Sequence, residues 1–220
     1  MGVVFSNKDL LIQALTHRSY LNENPDFGLG HNERLEFLGD AVLELVVTEE
    51  LYKRFPDKPE GDLTSFRAAL VNANMLAEIA MELDVNDFLL LSRGEAKDVG
   101  RARQYILANA IEAIIGGIYL DKQYEGSKVF IHAVLLPHLD EVLEKKLYKD
   151  PKSVFQESAQ ERVGITPTYE VIREWGPDHD KHFVVGIFLG DELIAEGEGL
   201  SKQTAQEDAA RKGLEVKQWQ

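Results

Sequence analysis

Between Tyr148 and Pro151 the hydrophobic period of this chain changes, and one kind of layer cannot accommodate both sides of the change. Ahead of it, apolar residues recur at helical spacing: Leu10, Leu11, Ala14 and Leu15 in one segment, Leu63, Phe66, Ala69 and Leu70 in another. Glu60-Gly61-Asp62-Leu63-Thr64 reads as a helix start, Asp84 and Asn86 mark a turn, and Gln104–Leu120 and Tyr124–Leu147 read as long helices. Beyond Pro151, Ser153–Val163 predicts a helix closed by Gly164. Thr168–Trp175 and His182–Leu189 are rich in β-branched and aromatic residues, as strands require. Gly190-Asp191 supplies a two-residue hairpin turn into a third strand, Glu192–Gly197. Ser201 is placed to cap a last helix whose Ala205, Ala209 and Leu214 would face the sheet. The expectation is an α+β protein: an all-helical domain over residues 1–148 and a small α-β-β-β-α domain over residues 152–220.

Composition narrows the chemistry. At 44% hydrophobic residues both domains can bury a core. The absence of cysteine excludes a disulfide framework, Cys-based zinc or iron–sulfur sites and a thiol nucleophile, and accords with a reducing compartment. Lys+Arg of 24 against Asp+Glu of 38 gives a net charge of −14, so the chain as a whole does not attract nucleic acid. A polyanion binder of this composition must rely on local basic spots or bound cations. Met1-Gly2-Val3-Val4-Phe5-Ser6 fits the formal N-myristoylation pattern, but no polybasic segment follows to complete an anchor. The longest weakly charged run, Gln104–Leu120, falls short of the roughly 20 apolar residues that span a bilayer and carries Asn109 and Glu112. No membrane attachment and a cytoplasmic location are expected.

Asn32–Leu51 is the most informative stretch for function. Its apolar residues surround the helix, which predicts burial on most sides, yet Glu33, Glu36 and Asp40 fall at i, i+3 and i+7 on one face. Buried carboxylates are costly unless paired, hydrogen-bonded or bound to metal. Gly39, beside Asp40, would let another backbone approach closely. In Tyr105–Gly117, Asn109 and Glu112 are the strongly polar side chains over three turns, again at i, i+3. Two such helices facing each other would form an all-oxygen cage suited to Mg²⁺ or Mn²⁺. Buried salt bridges, for instance Glu36 with Arg34 or Arg67, fit the same pattern. No Glu-x-x-His, Walker A, His-Glu-x-x-His or Gly-x-Ser-x-Gly motif is present.

The run Asn32-Glu33-Arg34-Leu35-Glu36-Phe37-Leu38-Gly39-Asp40-Ala41-Val42 resembles the signature of the ribonuclease III family. Leu15-Thr16-His17-Arg18-Ser19-Tyr20, Glu60–Leu63, Arg67–Val71 and Ile114–Asp121 are further matches, and the tail resembles the double-stranded-RNA-binding domain that follows the nuclease domain in bacterial members. The resemblance implies a homodimeric endoribonuclease that cuts double-stranded RNA in RNA processing, of ribosomal and messenger RNA alike. It implies hydrolysis by a Mg²⁺-activated water, Mn²⁺ being able to substitute, leaving 5′-phosphate and 3′-hydroxyl ends, with no small-molecule cofactor. By position, Glu36, Asp40 and Glu112 match acidic metal residues, Asp40 and Glu112 being catalytic as well. Asn109 stands where the family has a fourth acid, and Glu33 and Glu60 match acidic positions of the active-site valley and dimer interface. Tyr105 replaces a small Ser. The amide of Asn109 still offers an oxygen but no charge, so a non-cleaving or impaired double-stranded-RNA binder is the alternative, and a helical metal-carboxylate protein without a nucleic-acid role a second one.

For the tail, the resemblance implies RNA contacts from Gln156 and Gln160 on the first helix, from His179 in the loop Gly176–Phe183, and from Lys202 opening the final helix. Domains of this kind read duplex shape, 2′-hydroxyls and phosphates. By spacing alone, Gln156 and Gln160 are also an ordinary solvated helix face, and His179 with His182 a conceivable metal pair. The phosphate clamp is thin: from Pro151 onward, 8 Lys+Arg meet 13 Asp+Glu, a net of −5.

Overall fold

A computed structural model describes residues 2–97, 100–177 and 181–219, with the side chain of Arg101 left aside. The chain divides into two compact units, Met1–Tyr148 and Lys149–Gln220.

The first unit is helical: α1 (Lys8–Ala14), α2 (Arg18–Glu23), α3 (Glu33–Arg54), α4 (Glu60–Leu70), α5 (Ala73–Glu82), α6 (Arg101–Val134) and α7 (Leu139–Glu144). Two of them, α3 and α6, form its centre. Leu35, Val42, Leu43, Val46, Val47 and Leu51 of α3 pack into one core with Ile111, Ile114, Ile115 and Ile118 of α6. Their backbones touch. A β-carbon on Gly39 would overlap the carbonyl oxygen of Glu112 and stand 2.8 Å from the amide nitrogen of Gly116, and one on Gly116 would overlap the carbonyl oxygen of Leu35. The close approach expected at Gly39 is therefore made by the residue that carries the opposing carboxylate.

Two expectations for this unit need correction. Helix α3 is not buried on most sides: Phe37 is 83% exposed and Leu45 58%, because no element among the described residues of the helical unit covers that flank. The predicted helix Tyr124–Leu147 is not continuous. Helix α6 passes through Gln123 in a non-helical conformation (φ 57°, ψ −165°) and ends at Val134. A short 3₁₀ turn, Leu136–His138, precedes α7, because Pro137 has no amide hydrogen to donate and its ring clashes with the preceding turn. Near the bend, Asp121 accepts hydrogen bonds from the amides of Ser6 (2.7 Å) and Asn7 (3.0 Å), which tie the N-terminal segment to α6.

The second unit runs α8 (Pro151–Val163), β1 (Thr168–Trp175), β2 (His182–Leu189), β3 (Glu192–Gly199) and α9 (Lys202–Lys217). Asp150 caps α8 by accepting from the amides of Lys152 and Ser153, Pro151 opens it, and Gly164 closes it at φ +71°. The strands form an antiparallel sheet in the order β1-β2-β3, with Gly190 at φ +61° in the tight turn from β2 to β3. Phe155, Ile187, Leu189, Ala209, Ala210, Leu214 and Trp219 make its core. At Gly197 and Gly199 a side chain would collide with α9, so both glycines let that helix lie directly on β3. Ser201 caps α9 as expected, in a reciprocal arrangement with Thr204.

Candidate active site and RNA-binding face

The crossing of α3 and α6 assembles the first candidate site. Because Gly39 rests against the Glu112 carbonyl, Glu36 and Asp40 flank the contact on one helix and Glu112 on the other. Glu112 is withdrawn from much of the solvent, and burial followed by the charges of Asp40 and Glu36 pushes its carboxyl up to about 7. Burial, then the charges of Glu33 and Asp40, also raises Glu36. Asp40 itself is exposed, so the expectation of three buried carboxylates on α3 does not hold. Neither of the basic partners considered for Glu36 is there: Arg67 instead reaches Glu44 (3.9 Å) and the hydroxyl of Thr48 (2.9 Å). The ionised cluster is therefore repulsive, the electrostatic setting that a divalent cation relieves. Hard oxygen donors from Glu36, Asp40, Glu112 and the Asn109 amide fit such an ion, although among the described residues no three His, Asp or Glu groups are gathered into a closed ligand set.

A cleft of about 590 Å³ adjoins the cluster. Glu36 and Asn109 belong to its wall together with His17, Arg18, Asn22 and Tyr105, so the two departures from the family pattern, Tyr105 and Asn109, face one space. Asn32, almost fully buried, anchors the junction of this wall with α3: its side chain donates to the carbonyl of Ala14 (3.3 Å) and its amide to that of Thr16 (2.9 Å). Glu33 also lines the cleft, where it pairs with Arg18 at 3.6 Å and lies 3.7 Å from His31. Glu60 is elsewhere. On the exposed first turn of α4 it accepts a hydrogen bond from Thr64 at 2.9 Å.

In the second unit, Gln156 and Gln160 are exposed on α8, with Gln160 donating to the Thr166 hydroxyl at 3.2 Å. His179 lies outside the described residues. Lys202, on the first turn of α9, holds its ammonium 5.9 Å from the centre of the Phe183 ring, and that of Lys181 lies 5.7 Å from the same ring. Lys181, quoted in the loop motif but given no role, shares the Phe183 ring with Lys202 and is itself ion-paired with Glu174 at 3.0 Å. The signal for it was its place between His179 and Phe183, but only the paired strands bring it to that ring. His17 was likewise quoted in a motif and given no role, because sequence does not reveal a cleft wall.

Comparison with known proteins agrees with both units. A family model described as Ribonuclease-III-like matches residues 7–139, and one described as Double-stranded RNA binding motif matches residues 151–217. A protein named Ribonuclease 3 from Carboxydothermus hydrogenoformans is 44% identical over 98% of this chain and 92% of its own length. Its namesake from Desulforamulus reducens is 46% identical over 96% of this chain and 86% of its own. A solved structure of the nuclease domain of ribonuclease III from Campylobacter jejuni, described for flexibility in a region involved in dimer formation, aligns with a TM-score of 0.54 at 46% identity, over 60% of this chain and 87% of that one.

Proposed function

Since this chain belongs to the ribonuclease III family and is an endoribonuclease specific for double-stranded RNA, we propose that it cuts the duplex at Glu36, Asp40, Asn109 and Glu112 with Mg²⁺, or Mn²⁺ in its stead, held among them. The observation that carries this reading is Glu112, a carboxyl pushed up to about 7 by burial and by Asp40 and Glu36. When bound, the ion supplies positive charge at the phosphate and makes water a better nucleophile. Glu36, Asp40 and Glu112 hold it with charge, and Asn109 with a neutral amide oxygen. Water oxygen attacks phosphorus in line, the bond to the 3′-oxygen breaks, and that oxygen takes up a proton, leaving 5′-phosphate and 3′-hydroxyl ends. Asp40 and Glu112 carry catalysis, Glu33 lines the valley, and Glu60, outside the cleft, serves the dimer contact.

The duplex-binding domain delivers the substrate. Gln156, Gln160 and His179 meet the minor groove, and Lys202 with Lys181 the phosphates. This division explains how a chain of charge −14 handles a polyanion. The protein works as a homodimer in the cytoplasm, on ribosomal and messenger precursors, without a membrane or small-molecule cofactor. No helix of the described residues is long and apolar enough to cross a membrane. A neutral amide among the ion ligands favours a second, weaker form of the reading, in which the chain binds duplex RNA well and cuts it slowly. A long RNA duplex incubated with the protein should be cut only with Mg²⁺ or Mn²⁺, and a single strand not at all. Binding with slow cutting, or with none at any Mg²⁺ concentration, would establish the second form, impaired or non-cleaving, and neither binding nor cutting would refute both.

A further inference from the structure

The cleft beside the acidic cluster has a donor whose direction the fold determines. His17 caps α2: its Nδ1 accepts from the amide of Ser19 at 3.3 Å and lies 2.8 Å from the Ser19 hydroxyl. That hydroxyl also accepts from the amide of Ser92 at 3.0 Å, and it is the Ser19 amide, donating to Nδ1, that makes this nitrogen the acceptor. With Nδ1 an acceptor, the neutral ring carries its proton on Nε2. Burial, the strongest influence on the ring, pushes its pKa down and keeps it neutral, against the opposing charge of Glu95. The ring edge turned away from Ser19 is therefore a fixed N–H donor, on a residue that lines the cleft.

The lining also says what kind of group is welcome. Glu33, Glu36 and Glu95 bring three carboxylates and Arg18 one cation already paired with Glu33, so a bare phosphate is poorly received. Neutral amides from Asn22 and Asn109 and the carboxylate of Glu36 suit a hydroxyl that both donates and accepts. The space, about 590 Å³, admits a nucleoside unit. Sharing Glu36 and Asn109 with the proposed ion site, it receives the part of the strand next to the bond being cut.

We infer that this cleft is the subsite of a ribose flanking the scissile bond, and that His17 donates from Nε2 to its 2′-hydroxyl, making His17 a determinant of RNA over DNA. The inference rests on the cleavage reading above. The 2′-hydroxyl is the group that lets a protein distinguish the two nucleic acids at a given site.

The test uses the full chain and short RNA duplexes cut at one place, each with a single 2′-deoxy nucleotide at one of the positions flanking the cut. The wild type should cut one of these duplexes about 3- to 10-fold more slowly than the all-ribose form, the size of one neutral hydrogen bond. His17→Asn keeps an oxygen to cap α2 but has nothing at the Nε2 position. It should cut the all-ribose duplex more slowly by a similar factor and show no further loss on the deoxy duplex. His17→Gln, which carries an amide N–H further out, should regain part of the discrimination. A wild type indifferent to 2′-deoxy substitution at every flanking position overturns the inference without any variant, and so does a His17→Asn protein that discriminates as strongly as the wild type. A wild type that cuts no duplex with Mg²⁺ overturns the cleavage reading itself, a result distinct from either of these.

Discussion

At Glu112, burial and repulsion act on the same proton. The pKa of about 7 in the fold stands above the 4.5 of an unperturbed Glu, so ionised Glu112 costs stability above that range. The loss is recovered as pH falls from about 7 toward 4.5, where the folded protein binds the proton and the unfolded chain does not yet. Discounted for solvent at a partly exposed side chain, the effect is about 1–2 kcal/mol. Without divalent ions, the wild type should therefore gain a few degrees of melting temperature between pH 8 and pH 6 relative to Glu112→Gln, which lacks this group. The same variant should bind duplex RNA normally and fail to cut it. A Glu112→Gln protein that cuts at the wild-type rate would remove Glu112 from the ion site, and one that unfolds would show the charge serving the fold. Asn109 gives the complementary prediction. Asn109→Asp adds a fourth carboxylate near Glu36, Asp40 and Glu112, so it should lower stability without Mg²⁺ and gain more from added Mg²⁺ than the Asn form does. The Mg²⁺ concentration for half-maximal cutting should fall as well. Identical melting and cleavage curves for the two forms across a Mg²⁺ titration would place residue 109 outside the ion shell.

Among the elements, the α3–α6 crossing decides whether the site exists. A methyl group at Gly39 meets the carbonyl of Glu112, and both belong to helix backbones that cannot turn aside. Gly39→Ala should then cost about 3 kcal/mol or more, the upper end of overpacking, and push the helices apart. Chemical denaturation measures the first effect; cleavage measures the second, since separating the helices moves Glu112 away from Glu36 and Asp40. Gly61, with open space around the corresponding position at the start of α4, is the control: Gly61→Ala should change neither. Apolar spacing and the cap at Ser201 are local signals and identified the long helices, the three strands and α9, but they predicted no helix at α2 or α5. Periodicity did not resolve the end of α6, where the apolar pattern continues past Val134 while Pro137 forbids the hydrogen bond that a helix needs.

For the whole molecule, the exposed flank of α3 is the feature left over by a single chain. Phe37, Ala41 and Leu45 recur every four residues along it, and Tyr52, 73% exposed, extends the stripe. Symmetric association would bury this apolar surface on two chains at once. The dimer proposed above should therefore sediment as such at micromolar concentration, and Phe37→Lys combined with Leu45→Lys should leave a folded monomer with far weaker cutting. A wild type that sediments as a stable monomer at that concentration would refute it.

Sequence alone determined the two-domain division, the α-β-β-β-α order of the second unit, the acidic residues on α3 and α6, and the family, because each is written in local spacing or in a contiguous motif. Even the close contact at Gly39 was legible, since a glycine inside an apolar helix is costly unless a neighbour needs the room. Tertiary structure decided which groups meet. It set Glu112 against Asp40 and Glu36 through two backbones in contact, left Asp40 and Phe37 in solvent, sent Arg67 to Glu44, and kept Glu60 out of the cleft. It also brought Lys181 and Lys202 each to the Phe183 ring, and His17 into the wall of the cleft that Asn109 lines. These relations join residues far apart along the chain, and the free energy of a charge or a hydrogen bond depends on the neighbours that folding supplies, which no local pattern encodes.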